Sequence, residues 1–146
     1  MYDAQAALQA IDLYTAPILS CLAITVVFAF LYFVVAIRVA LKQKVYVVPL
    51  IGAAVFFWHD LSFVLMYDTW FNGYDHWWVK LWWVALCGTV PLEAYMIWHV
   101  IRFGHQELWP TLPKSPYTTL ILGATLVRGA LWFLIKVMGP GTAALA

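Results

Sequence analysis

Charge is what this chain has least of. Only 10% of its 146 residues are charged, against roughly 25% in an ordinary soluble domain. The deficit is concentrated: Ala16 to Ile37, Val45 to Trp58 and Leu81 to Leu92 hold no charged residue. Eight basic against seven acidic side chains leave a net charge of +1 and no basic stripe, so a nucleic-acid partner has no support. Cysteine is almost absent. Cys21 and Cys87 fall inside different apolar runs, where a thiol packs as a small hydrophobe, so neither a disulfide nor a metal pair is expected. No basic segment precedes the first apolar run, as it would in a secretory signal. There is also no clustered, water-facing aspartate motif of the kind that holds magnesium on a diphosphate.

What is there is apolar length. Hydrophobic residues make up 65% of the chain, and a hydrocarbon core about 30 Å thick needs roughly 20 apolar residues per helix. Four stretches meet that length: about Ala16 to Leu41, Val45 to Trp70, Val79 to Phe103 and Tyr117 to Met138. The expectation is an all-α, integral membrane bundle of four transmembrane helices, forming one domain over residues 1–146. Asn72-Gly73 marks one turn, and Pro110, Pro113 and Pro116 mark the next. Gly139-Pro140-Gly141 stops the last helix. The amphipathic stretch Ala4 to Tyr14 is expected to lie along the membrane surface.

Basic residues near the helix ends set orientation. Arg38, Lys42 and Lys44 sit in the first loop and Arg102 and Lys114 in the third, against Lys80 and Lys136 on the opposite side. That bias predicts a multi-pass protein with both termini outside the cytoplasm. Trp70, Phe71, Tyr74, Trp77, Trp78, Trp82 and Trp83 cluster around the second loop and read mainly as an interfacial aromatic belt.

Against this background, ionisable residues at membrane depth stand out, because each costs about 2.5–3.5 kcal/mol on insertion scales. Asp60 lies in the second helix, Glu93 in the third and Arg128 near the middle of the fourth, with His59 and His99 as further titratable rings. At about 1.5 Å rise per residue, the two carboxyls should differ in depth by about 6 Å across antiparallel helices, with Arg128 at a comparable level. In purely structural terms, Arg128 would neutralise one acid as a buried ion pair. One arginine cannot compensate two carboxylates, so one acid should be held protonated, as a general acid must be. Histidines at such positions are more often satisfied by a neighbouring helix than used in chemistry. Pro91 removes a helical hydrogen bond two residues before Glu93 and should kink the third helix.

Helical spacing places Phe56, Phe63, Val64 and Tyr67 on the face of Asp60, and Thr89, Met96 and Ile97 on that of Glu93. Thr125, Leu131 and Trp132 accompany Arg128 in the same way. These faces would line an apolar, aromatic chamber with a few convergent acids. Aromatic rings stabilise cations at close range, which suits an apolar substrate that becomes a carbocation. At helical spacing such rings are more often plain packing.

Two segments carry a family resemblance. Tyr46 to Tyr67, YVVPLIGAAVFFWHDLSFVLMY, and residues 94–110, AYMIWHVIRFGHQELWP, resemble the integral membrane terpene cyclases of fungal meroterpenoid and indole-diterpene pathways. In that family a glutamate follows a tryptophan in the first segment; here Asp60 follows His59. The second segment matches at Ile101, Arg102, Phe103, Glu107 and Leu108. The resemblance covers under half of the chain. It implies more helices than four and a second acid near the C-terminus, whose position has no counterpart here. Glu93 or a second copy of the chain would have to supply it.

The expected function is thus a membrane-embedded, acid-initiated cyclase or isomerase of an apolar isoprenoid epoxide or alkene. Asp60 would be the general acid, Glu93 or His59 would accept the final proton, and Arg128 would orient one carboxylate. Phe56, Phe63, Tyr67, Met96 and Trp132 would hold the substrate. No metal or other cofactor is needed, since protonation replaces ionisation of a diphosphate. The expected partners are the isoprenoid, the lipid bilayer and, to enclose a terpenoid, further copies of the chain as a homo-oligomer. Two other classes fit less closely. One is a haem or quinone redox protein using His59 and His99, and the other a small transporter or assembly subunit.

Overall fold

The structure is a computed structural model that describes residues 3–138. These form α1 (Ala4–Leu13), α2 (Thr15–Gln43), α3 (Leu50–Val64), a π-helical turn (Thr69–Gly73), α4 (Trp77–Phe103), the short α5 (His105–Leu108) and α6 (Lys114–Met138). The Gly139-Pro140-Gly141 stop lies outside the described residues. Among the described residues three helices are long and apolar enough to cross a membrane: α2, α4 and α6, the last over Lys114–Lys136.

The second apolar run falls short of the expected span. α3 has 15 residues, or about 22 Å of helix, where Val45 to Trp70 was expected to be continuous. Pro49 sits at the N-cap with extended backbone and disfavours helical geometry in the residue before it, so Val45 to Val48 stay outside. At the other end the helix breaks after Val64, where the Met66 N–H bonds back only three residues, to the Phe63 carbonyl. The freed Val64 carbonyl accepts from the Trp83 indole at 3.0 Å. That indole belongs to the aromatic group expected to act as a belt, and here it also ties α4 to the end of α3.

The other boundaries lie within three residues of those expected. Pro116 was read as loop but lies in the first turn of α6, where the missing N–H would have had no intrahelical partner. α4 begins at Trp77 because the His76 ring accepts from the Trp78 N–H and caps it.

α3, α4 and α6 make the packed part of the molecule. Gly129 of α6 lies against the Trp58 ring so closely that an added Cβ would sit 2.4 Å from it, and the Trp58 indole donates to the Thr125 carbonyl at 2.7 Å. Buried Tyr117 donates to the Val100 carbonyl at 2.8 Å, which joins α6 to α4. α2 touches this body mainly through its second half. Ala36 and Ala40 are its two buried residues, four apart on one face, and small side chains at that spacing let helices approach closely in a membrane. Ala36 packs with Ala53, Met96 and Ile97, flanked by Phe33 and Ile37. The first half of α2 stands clear, with Ile24, Val26, Val27, Phe28 and Phe30 exposed.

α1 lies at the second-loop end. Its stripe of Ala4, Ala7, Leu8 and Ile11 faces Phe63, Trp70, Tyr74, Trp78 and Val79 across a shallow cleft. Asp12 accepts from the Trp77 indole at 2.8 Å and lies 3.2 Å from the His76 ring. These two contacts hold its carboxyl below the usual 3.8.

Candidate functional site

The centre of the bundle holds a polar cluster that the sequence could place only by depth. Asp60 of α3 is buried, and both of its oxygens are engaged. Oδ1 lies 2.8 Å from His59 Nδ1, and Oδ2 lies 2.5 Å from the Thr89 hydroxyl of α4. That hydroxyl also sits 3.1 Å from the Leu86 carbonyl. A threonine hydroxyl carries one proton. It donates to one of these two acceptors, of which Asp60 Oδ2 is the nearer.

Glu93 follows Thr89 by one helical turn and is equally buried. Its carboxyl lies against that of Asp60, and its Oε2 is enclosed without a hydrogen-bond partner. Buried polar atoms are nearly always paired; among the described residues His99 is the other exception.

That oxygen belongs to a residue on the wall of a cavity of about 340 Å³, formed by Tyr32 and Phe33 of α2, Val48, Ala53 and Phe56 of α3 with its approach, and Thr89, Glu93 and Met96 of α4. The volume is at the small end of ligand pockets. Apart from Glu93, Thr89 and the Tyr32 hydroxyl, the wall is hydrocarbon and aromatic ring. Asp60 and His59 do not line it; they stand behind Glu93 and Thr89.

The expected site residues therefore separate into three groups. Asp60, His59 and Glu93 come together, and Phe56 and Met96 share the cavity with Glu93. Phe63 and Trp132 lie on the far side of the cluster, with ring centroids 4.8 and 5.4 Å from that of His59. Tyr67 points elsewhere, stacked on Phe71 at 4.3 Å and edge-on to Trp83. Arg128 does not meet either acid. It forms no ion pair among the described residues and instead lies over the Trp132 ring at 5.6 Å, beside Leu50, Ile51 and Ala54. The expected buried ion pair is thus absent from the described residues, and the two acids face each other without a compensating guanidinium.

Two features escaped the sequence. Tyr32 and Phe33 form part of the cavity wall, although nothing distinguishes them from the lipid-facing rings nearby. Ser62 and Lys136 form the second. Lys136, expected to flank the membrane edge, folds back so that Nζ donates to Ser62 Oγ at 3.0 Å and lies 4.1 Å from the Phe63 ring. Ser62 also accepts from the Trp132 indole at 3.1 Å and donates to the His59 carbonyl at 2.7 Å. The i, i+4, i+8 spacing of Arg128, Trp132 and Lys136 was the available signal.

His99 is buried with both ring nitrogens unpartnered, and the rings of Tyr95, Trp98 and Phe103 lie 4.4, 5.4 and 5.6 Å from it. It sits six positions after Glu93 along α4, less than two helical turns, and does not line the cavity. No protein-family model matches the chain, and no curated protein or solved structure shows significant similarity to it.

Proposed function

We propose that the protein is a membrane-embedded enzyme that cyclises or isomerises an apolar isoprenoid, an epoxide or alkene, by protonating it from the Asp60–Glu93 pair. The observation that carries this is the unpartnered Glu93 oxygen, buried beside a second carboxyl on the wall of an otherwise apolar cavity. Two carboxylates in contact in a low-dielectric setting do not both ionise, so the pair holds one proton between them. Glu93 delivers that proton, since it lines the cavity and Asp60 does not. Asp60, fixed by His59 and Thr89, is the ionised partner, and the charge left on Glu93 faces the cation it has just formed.

Protonation of an epoxide oxygen or a terminal double bond creates a carbocation. Phe33, Phe56 and Tyr32 stand on the same wall, and aromatic faces stabilise a cation within about 6 Å. Loss of a proton from the cyclised or rearranged cation to the Glu93 carboxylate ends the reaction and restores the pair. Product and substrate then have the same mass. Neither a metal nor a diphosphate enters this sequence of steps.

The proposal includes a topology. α3 and the turns that follow it to Gly73 make a fourth crossing between α2 and α4. The termini and the second loop lie outside the cytoplasm, and the basic first and third loops lie inside. The partners are the isoprenoid, the bilayer and, where one cavity of this size leaves a long substrate partly uncovered, a second copy of the chain.

Redox use of the histidines finds less support. His59 is committed to Asp60, His99 is closed in by aromatic rings, and the cavity is lined by neither.

The test is product analysis by mass spectrometry from membranes carrying the wild type or Asp60→Asn, fed a panel of prenyl epoxides and alkenes. An isomer of unchanged mass, made by the wild type and lost in a variant that inserts normally, is the expected result. Full activity in Asp60→Asn contradicts the assignment.

A further inference from the structure

Arg128 has no part in the reaction and no partner of opposite charge in the fold. Among the described residues it makes no ion pair. It stands fourteen residues after Lys114 and ten before Met138 on α6, so its Cα is about 15 Å from the nearer helix end. The guanidinium rests on the Trp132 ring, one turn along, at 5.6 Å, and so stays at depth. A charge held there is stabilised by an opposite charge or by carbonyl groups. The chain supplies neither acid.

The setting of Arg128 is a groove of about 300 Å³ between α3 and α6, walled by Ile51, Ala54, Ala124, Val127 and Leu131 with Leu50 at its edge. Apart from Arg128 the wall is aliphatic. The groove lies around α3 from the cavity and shares no residue with it. Ile51, Val127 and Leu131 are exposed, so it opens to the surroundings of the bundle. Ala54 and Ala124 are small, and a Cβ added to neighbouring Gly123 would meet nothing within 4 Å. Small residues let a second helix backbone approach closely in a membrane.

Three occupants could bring a negative charge. A phospholipid carries its phosphate at the interface, well short of the level of Arg128. A second copy of the chain has no free acid at that level. Of its seven acidic side chains, Asp60 and Glu93 are buried against each other, and Asp3, Asp12, Asp68, Asp75 and Glu107 lie outside α2, α3, α4 and α6. A helix from a different chain, with a carboxylate near its midpoint, meets both the charge and the small, apolar wall.

We propose that the α3–α6 groove docks an apolar transmembrane helix of a different protein, which carries one Asp or Glu near its middle and pairs it with Arg128. Arginine and a carboxylate form two parallel hydrogen bonds, so the contact fixes the depth and rotation of the incoming helix as well as holding it. The partner would leave the cavity uncovered, since the two lie on different faces of α3. The proposal does not depend on the acid-initiated reaction.

The test uses the full chain in liposomes of zwitterionic phospholipid and a synthetic, lysine-flanked helix of about 20 leucines and alanines. The helix carries Asp at its midpoint in one form and Asn in the other, and energy transfer between dyes on the two components reports association. The Asp form should bind more tightly by about five- to thirtyfold, the range of polar contacts between model membrane helices. Arg128→Leu should abolish that preference. The two helices are compared on unaltered protein, so the result stands even where the variant fails to insert. Equal binding of both forms to the wild type overturns the site, as does an undiminished preference in Arg128→Leu. Native mass spectra in which the wild type but not Arg128→Leu retains an anionic phospholipid would overturn the helix in favour of lipid. Self-association lost in that variant would overturn it in favour of a second copy.

Discussion

α2 and the α3–α4–α6 body are both apolar, α2 more so than α4 or α6, yet they are held in different ways. The body is tied by side chains reaching across to backbone: Trp58 to Thr125, Trp83 to Val64 and Tyr117 to Val100. α2 has no such tie. It contributes Ala36 and Ala40 to the buried interior and leaves most of its length to the surroundings. In a bilayer no hydrophobic force presses helices together, so packing and interhelical hydrogen bonds decide which stay fixed. The polar chemistry sits wholly in the tied body, whereas α2 supplies only Tyr32 and Phe33 to the cavity. Under the proposed function, a substrate arriving sideways from lipid would reach the acid pair past the wall that α2 supplies.

Several substitutions would break or sharpen that contrast. The largest effect should come from Glu93→Gln, which keeps the shape of the wall but removes its proton. A positioned general acid contributes about 10²- to 10⁴-fold, so turnover should fall by at least about a hundredfold, with melting little changed. Asp60→Asn should act similarly, since the two carboxyls work as one unit.

Next comes the body's packing. Gly129→Leu drives a side chain into the Trp58 ring and should cost at least about 1–3 kcal/mol, the usual range for overpacking, read as a lowered melting midpoint in detergent. Tyr117→Phe should cost less, about 0.5–1.5 kcal/mol, because the Val100 carbonyl also accepts from the Gly104 N–H at 2.9 Å. By contrast, Val27→Leu or Phe28→Leu on the exposed half of α2 should stay within about 0.5 kcal/mol. A large loss there would mean that α2 is packed rather than free.

Ala53→Phe fills the cavity from its buried floor. It should exclude longer isoprenoids before shorter ones, measured as a shift in relative turnover across a chain-length series.

The smallest effect concerns pH. Asp12 is held below its ordinary value by the Trp77 indole and His76. A lowered carboxyl value means that its contribution is present above the unfolded value, near 3.8, and is lost as pH falls through the lower folded one. Trp77 emission should therefore be steady from neutral pH down to about 4 and change only below that. Asp12→Asn should remove the acid transition. Persistence of the transition in that variant would contradict the assignment.

Much of the fold was legible because charge-free length is a strong signal, and α2 and α4 fall within two residues of the expected ends. The second run was misjudged at both ends. Pro49 was visible, but its effect on Val48 was outweighed by the apolar pattern. The break after Val64 depends on Trp83 taking a carbonyl nineteen residues away, a tertiary contact with no local signature. Depth arithmetic correctly brought Asp60 near Glu93, since both lie on antiparallel helices joined by a short loop. It failed for Arg128, because depth fixes level and not azimuth: Arg128 faces Trp132, not the acids. Thr89 appeared only as a neighbour on the face of Glu93, and its role as the Asp60 partner needed the helix pair to be seen together.

The account stands or falls on whether the carboxyl pair supplies the initiating proton, which an alkene substrate takes on carbon. Incubating the wild type with a prenyl alkene in heavy water and weighing the product measures this directly. Protonation from an exchanged pair followed by loss of a substrate proton predicts a product one mass unit heavier, with the label absent in Glu93→Gln. A cyclised or isomerised product with no deuterium on carbon would contradict it.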